Sequence, residues 1–265
     1  MADFYRRVEV AILESDAASK CRQAEQLYRG WQANAVPGDK ASSILPIDDP
    51  GRPPEPPLVD PRQLPRRSFA SEDGRIRLLH AFAHIEFNAI NIALDAVYRF
   101  RQMPPEFARD WLQVASEEAR HFRLLADELE KRGSYYGACP AHRGLWDMVC
   151  KTRDNVLHRM ALVPRVMEAR GLDVTPSMMD RFQQFGDTAA VAILGVIYRD
   201  EVVHVRIGDY WFRWLCAEQG FDAESTFREL VGEYMGGRLR GPFNWAARLE
   251  AGFGETELDA LERAG

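Results

Sequence analysis

The sequence has 265 residues, of which 46% are hydrophobic and 28% are charged. This is ordinary globular composition with enough apolar material for a sizeable core, so it excludes a chain that is disordered over most of its length. The formal net charge of −6 at pH 7 argues against a protein whose main partner is nucleic acid. The sequence holds no apolar run long enough to cross a membrane and no N-terminal signal pattern, and we therefore expect a cytoplasmic protein without a membrane anchor.

The N-terminal part predicts two different kinds of structure. Residues 1–35 predict a short helical segment with Ser15 or Asp16 as an N-cap. Residues 36–70 contain nine of the fifteen prolines, and each proline removes a backbone donor and restricts the residue before it. We expect an extended arm here, either solvated or lying across the main body.

The rest of the chain predicts helices without strands, since alternating β-branched runs and hairpin dipeptides are absent. A further helical stretch before residue 186 follows a break at 171–176, and residues 221–265 predict two short helices packed on the outside. We therefore expect an all-α fold in which residues 71–220 form a four-helix bundle. Its long helices are predicted at 71–101, 105–132, 142–170 and 188–219.

The four cysteines do not indicate a disulfide framework, a zinc ribbon or a rubredoxin-type iron site. They are far apart in the sequence and form no CxxC pair: Cys21, Cys139, Cys150 and Cys216.

Two Glu-x-x-His motifs are candidates for the functional site. Glu118 and His121 occur on the second predicted long helix, and Glu201 and His204 on the fourth. At a spacing of three residues, both side chains of a motif share one face of the helix.

The first and third long helices each carry a single carboxylate, Glu86 and Glu168, in a stripe that should be core. Charged side chains are almost never fully buried unless they are paired or bind metal. The two glutamates are also expected at the same height along neighbouring helices. Glu86 lies 17 residues before Met103, at the turn between the first two long helices, and Glu118 lies 15 residues after it. The sequence therefore predicts a metal site built from Glu86, Glu118, His121, Glu168, Glu201 and His204. Hard oxygen ligands with two imidazoles suit iron or manganese better than structural zinc.

A glutamate on each of two helices and an ExxH on each of the other two resembles the ferritin-like di-iron carboxylate proteins. The local runs 80–86, 167–173 and 200–205, and the late run from Gly241 to Phe253, look like one bacterial family described only as a ferritin-like domain of unknown function. The resemblance implies a ferritin-like bundle with two metal ions, iron first and manganese as the alternative. It also implies that Glu118 and Glu201 bridge the ions, and it implies no substrate.

Several residues near these motifs are less well supported as members of the site. Helical rotation turns His84 away from Glu86 and His80 well to one side, so packing roles are expected for both. Tyr198, three residues before Glu201, is a candidate catalytic phenol, with plain core packing as the alternative. Pro164, four residues before Glu168, should kink the third helix.

These observations favour an O₂-activating oxidoreductase or hydroxylase, with O₂ or peroxide, a small organic substrate and an unidentified electron donor as partners. A ferroxidase or other iron-handling protein without an organic substrate is the first alternative, and a manganese catalase or peroxidase is another. A tRNA-modifying hydroxylase is less compatible with the acidic charge but is not excluded, and a homodimer is compatible with the sequence. A bundle that keeps the carboxylates only as structural ion pairs is the non-enzymatic alternative.

Overall fold

The computed structural model describes residues 4–33, 43–237 and 239–264. Over these ranges the regular secondary structure is helical, and the β-type pairing consists of one isolated bridge between Leu58 and Ala141. The predicted all-α class is therefore confirmed for the described part of the chain. Residues 1–3 of the predicted N-terminal segment, and residues 34–42 at its junction with the proline arm, lie outside these ranges. The chain divides into two compact units, unit 1 at Met1–Asp147 and unit 2 at Met148–Gly265.

Unit 1 is built on two long helices that pack against each other. Ser71 caps the first, because its hydroxyl accepts a hydrogen bond from the backbone N–H of Gly74, and Asp16 caps a shorter helix in the same way through Ser19. The shorter helices of this unit pack on the long pair. The α-helices that lie wholly in the described part of unit 1 are α1 (Phe4–Leu13), α2 (Ala17–Gln32), α3 (Glu72–Arg99) and α4 (Pro105–Lys131), and a short 3₁₀ helix spans Pro61–Gln63.

The described part of the proline-rich arm lies on unit 1. Tyr98 accepts a hydrogen bond from the backbone N–H of Leu45 at 3.0 Å, and the indole N–H of Trp146 donates to the carbonyl of Asp48 at 3.0 Å. Further along, the backbone N–H of Val59 donates to the carbonyl of Ala141 at 2.8 Å. These bonds satisfy backbone groups that an extended, proline-rich segment cannot satisfy internally.

Unit 2 is built around one long helix, α8 (Thr188–Gln219). Asp187 caps its start by accepting from the backbone N–H of Ala190, and Gly220 ends it in the left-handed conformation with φ of 71°. Helix α5 (Gly144–Lys151) contains the boundary between the units. The other helical elements of unit 2 are α6 (Val156–Leu162), a π-helical segment (Val163–Glu168), α7 (Ala169–Gln184), α8 (Thr188–Gln219), α9 (Ala223–Met235), α10 (Trp245–Glu250) and α11 (Glu255–Ala264).

The third long helix differs from the prediction in where it breaks. The chain is interrupted between α5 and α6, where the side chain of Asn155 accepts from the backbone N–H groups of Leu157 and His158. In contrast, α7 runs without interruption through Gly171 and Pro176. The expected break at 171–176 was wrong. Pro176 cannot donate a hydrogen bond to the carbonyl of Leu172, but the side chain of Asn244 does so from outside the helix.

The C-terminal region also differs from the prediction, with three helices in place of two. The extra boundary falls between α10 and α11, where Gly252 has a φ of 105° that side chains rarely adopt. Among the described residues, no helix combines the length and the apolar character needed to cross a lipid bilayer.

Candidate metal centre

Unit 1 brings a pair of carboxylates and an imidazole together in its interior. Glu86 comes from α3, and Glu118 and His121 come from α4. His121 Nδ1 lies 3.2 Å from Glu86 Oε2 and 3.5 Å from Glu118 Oε2. One ligand atom from each of the three lies within 4.8 Å of the others, and all three side chains are buried. Such a group can hold a metal ion.

The helices place these side chains as the sequence pattern predicts. The ExxH spacing sets Glu118 and His121 on one face of α4, and the close packing of α3 against α4 brings Glu86 to that face. Phe87 and Phe122 follow Glu86 and His121 along their helices, with ring centroids 5.4 Å apart. Glu86, Glu118 and His121 are 2%, 1% and 0% exposed, so bulk water has little access to them.

The two carboxylates oppose each other in the absence of a cation. Burial, and then the nearby charge of Glu118, raise the pKa of Glu86 well above its usual range, while the hydrogen bond with His121 acts in the opposite direction. A bound cation reverses this balance, because it favours the charged form of every carboxylate that it contacts. The donor set of hard carboxylate oxygens with an imidazole nitrogen therefore fits iron or manganese.

Unit 2 carries the matching residues on neighbouring elements. Glu168 ends the π-helical segment, which packs against α8, and Glu201 and His204 lie on α8. His204 is buried, with its Nδ1 3.8 Å from Glu201 Oε1, while Glu168 and Glu201 are half-buried. The ExxH pair of this unit thus shares one helix face, as predicted, and its use as a metal ligand pair remains a prediction.

The phenol of Tyr198 is tied to the C-terminal region. Its oxygen accepts a hydrogen bond from the side-chain amide of Asn244 at 2.9 Å, and the side chain is half-buried. A catalytic role for Tyr198 remains a prediction, and any such role must keep or break this hydrogen bond.

The two histidines near Glu86 have partners of their own within unit 1. His84 Nδ1 lies 3.0 Å from the hydroxyl of Tyr136, and His80 Nε2 accepts from the backbone N–H of Gly137 at 2.9 Å. Burial lowers the pKa of each imidazole to about 4, so both are neutral near pH 7. These contacts agree with the packing roles expected from helical rotation.

Sequence analysis missed a buried ion network in unit 2. The Arg165 guanidinium donates to Asp209 at 2.9 Å and to Glu257 at 2.5 Å, and Arg213 donates to Asp209 at 2.8 Å. Burial raises the pKa of Asp209 in spite of both arginines. The available signal was an arginine inside the otherwise apolar run from Ala161 to Met167, which demands a buried partner.

Comparison with known proteins places the chain among relatives that have been described without an activity. Residues 13–259 match the family model described as "Protein of unknown function (DUF455)". An "Uncharacterized protein" of Haemophilus influenzae is 43% identical over 269 residues, which cover 98% of this chain and 93% of that protein. No solved structure matches the chain.

Proposed function

The chain belongs to the DUF455 family, and we propose from its own side chains that it is a dinuclear metal carboxylate protein. In this proposal the four-helix bundle predicted from the sequence is ferritin-like and holds two ions in its interior. The proposed ligands are Glu86, Glu118 and His121 from unit 1 with Glu168, Glu201 and His204 from unit 2.

The observation that carries the proposal is the buried cluster in unit 1. Two carboxylates and an imidazole lie within bonding reach of one cation, at positions where burial alone opposes their charge. Both carboxylates lie close to one imidazole, with Glu86 Oε2 3.2 Å and Glu118 Oε2 3.5 Å from His121 Nδ1. A metal ion bound here would favour the charged form of both carboxylates.

Charge balance supports two ions rather than one. Each unit offers one single glutamate and one ExxH pair, so the two sets contain four carboxylates and two imidazoles. Four carboxylates balance two divalent cations, and neutral imidazoles leave the complete cluster uncharged. An uncharged cluster is compatible with apolar surroundings, whereas four clustered carboxylates without metal would repel one another.

The proposed activity is O₂-dependent oxidation of a small organic substrate. A bound pair of ferrous ions would supply electrons for the reduction of O₂, with an external donor restoring them. The glutamates and histidines named above would hold the ions, and the burial of Glu86, Glu118 and His121 would keep bulk water from that part of the site.

Metal analysis of matched variants tests the proposed site. We expect the protein purified from its own host to contain two equivalents of iron or manganese per chain, and Glu118→Gln to lose most of it. The control is Glu117→Gln, which makes the same change at the adjacent half-buried position that contacts Gln113. Unchanged metal content in Glu118→Gln would support the reading of structural ion pairs and refute the proposal.

Oxygen consumption tests the activity separately from the site. The reduced, iron-loaded protein should consume O₂ with turnover when its substrate and a reductant are present. Stoichiometric consumption without an organic product would favour the ferroxidase alternative. Rapid disproportionation of peroxide by the manganese-loaded protein would favour a catalase.

A further inference from the structure

The segment that carries Glu168 is not an ordinary α-helix. Residues Val163–Glu168 form a π-helical segment, closed by a hydrogen bond from the backbone N–H of Ala169 to the carbonyl of Pro164, five residues earlier. Pro164 has no N–H to donate, and its ring would collide with the carbonyl four residues before it in a regular helix. The wider turn accommodates this proline, and it also sets the direction in which Glu168 leaves the backbone.

Helix α8 contacts this segment at a glycine. A Cβ atom on Gly208 would lie 2.2 Å from the Cβ and 2.3 Å from the Cγ of Pro164, which is closer than real atoms come. Only the absence of a side chain at Gly208 allows the proline ring to lie against α8. This contact is four residues from His204 along α8 and four residues from Glu168 along the other element, so it lies about one turn from each.

A second set of contacts fixes the segment through its next residue. Arg165 follows Pro164, and its guanidinium donates to Asp209 on α8 and to Glu257 on α11. The same guanidinium lies over the rings of Phe227 and Phe212, 4.1 and 4.5 Å from their centroids. The fork geometry of arginine therefore ties the π-helical segment to two helices at once.

We propose that Gly208 and Arg165 are positioning residues: they hold the π-helical segment against α8 and so set where Glu168 lies relative to Glu201 and His204, the other ligands proposed for this unit. This inference rests on the proposed function. It assigns a role in metal binding to two residues that are not ligands themselves. Such supporting contacts commonly change metal affinity 10–100-fold when they are altered.

The test is a cobalt(II) titration of the full chain, followed by visible absorption and by thermal unfolding. We expect the wild-type protein to bind two equivalents. In Gly208→Ala, at least one equivalent should bind about 10–100-fold more weakly, with an altered spectrum. The matched control is Gly195→Ala on the same helix, where an added Cβ would meet only ordinary contacts at 3.5 Å or more.

Arg165→Lys provides a second variant in case Gly208→Ala does not fold. The single ammonium of lysine cannot reproduce the fork between Asp209 and Glu257, so the same weakening of cobalt binding is expected. If Gly208 and Arg165 had a purely structural role, the variants would have a lower melting temperature, with both cobalt affinities and both spectra unchanged.

The outcomes separate the two proposals. If the wild type binds two ions, and folded Gly208→Ala or Arg165→Lys binds both as the wild type does, the positioning role is refuted while the dinuclear site stands. If the wild type takes up no cobalt at its buried carboxylates, the proposed function fails and this inference fails with it.

Discussion

The side-chain amide of Asn244 donates a hydrogen bond to the backbone carbonyl of Leu172 at 3.1 Å. In a regular helix that carbonyl would accept from the residue four positions later, which is Pro176 and has no N–H. The amide also donates to the hydroxyl of Tyr198, and its oxygen caps α10 through the backbone N–H of Ala247. One side chain from the C-terminal region thus allows a proline to lie inside α7.

The loss of stability on replacing the Asn244 amide should therefore depend on whether residue 176 is proline. Asn244→Asp keeps a capping oxygen but loses both donated hydrogen bonds, and we expect a loss of about 1–3 kcal/mol in the free energy of unfolding. The loss should be smaller in a Pro176→Ala background, where the new backbone N–H can satisfy Leu172. Urea unfolding of the four proteins measures the coupling, and an equal loss in both backgrounds would contradict this account.

The buried carboxylate pair predicts opposite effects of one substitution with and without metal. In protein stripped by a chelator, Glu118→Gln should raise the melting temperature, because it removes the charge that opposes Glu86. In protein loaded with iron or manganese, the same substitution should lower the melting temperature below that of the wild type, because a ligand is lost. Calorimetry of both proteins in both states would settle the point, and shifts of the same sign would count against a metal ligand role.

Sequence analysis located the helix boundaries that depend on nearby residues. The starts of α3 and α8 were predicted because Ser71 and Asp187 bond to backbone groups within one helical turn. The break in the third helix was misplaced because its decisive contact joins Leu172 and Asn244, 72 residues apart in the chain. Local composition carries no information about such a partner.

A buried lysine in unit 1 predicts a specific dependence of stability on pH. Lys20 is fully buried, donates to the carbonyl of Ile12 at 2.6 Å and to Asn91, and has its pKa lowered by burial to about 7. Between that value and the ordinary pKa near 10.5, the unfolded chain binds more protons than the folded one, so stability rises with pH. Relative to Lys20→Met, the wild type should gain up to about 1.4 kcal/mol per pH unit in this range.

Urea unfolding of both proteins at pH 7.5 and 8.5 measures this slope. The thiol of Cys21, whose pKa is raised by burial to about 11, contributes to the pH dependence of both proteins, so its effect cancels in the comparison. Parallel pH profiles of wild type and Lys20→Met would show that Lys20 is already charged in the folded protein.

Two glycines of unit 2 should respond to alanine in opposite directions. Gly252 has a φ of 105°, and a Cβ there would lie 2.4 Å from the carboxylate of Asp209, so Gly252→Ala should cost about 1–3 kcal/mol. Gly232 lies within α9 with nothing near its missing Cβ, and Gly232→Ala should stabilise by about 0.5–1 kcal/mol. Thermal unfolding of both variants measures the difference, and destabilisation by both would contradict the assigned backbone roles.

The cluster of Glu86, Glu118 and His121 was predictable from the sequence, whereas the contacts around Glu168 were not. Glu118 and His121 can be recognised in the sequence, because residues three apart lie on the same face of any α-helix. Arg165 and Gly208 have no comparable spacing in the sequence. Arg165 acts by binding Asp209 and Glu257, and Gly208 acts by leaving room for the ring of Pro164. Their importance arises only when separate segments meet.

The wide turn between Pro164 and Glu168 makes the number of residues there as important as their identity. Deleting one residue after Pro164 would turn Glu168 by about 100° about the helix axis relative to the residues before the deletion. Its side chain would then leave the backbone in a different direction. Circular dichroism would barely register such a deletion, whereas the proposed role of Glu168 predicts a loss of bound metal.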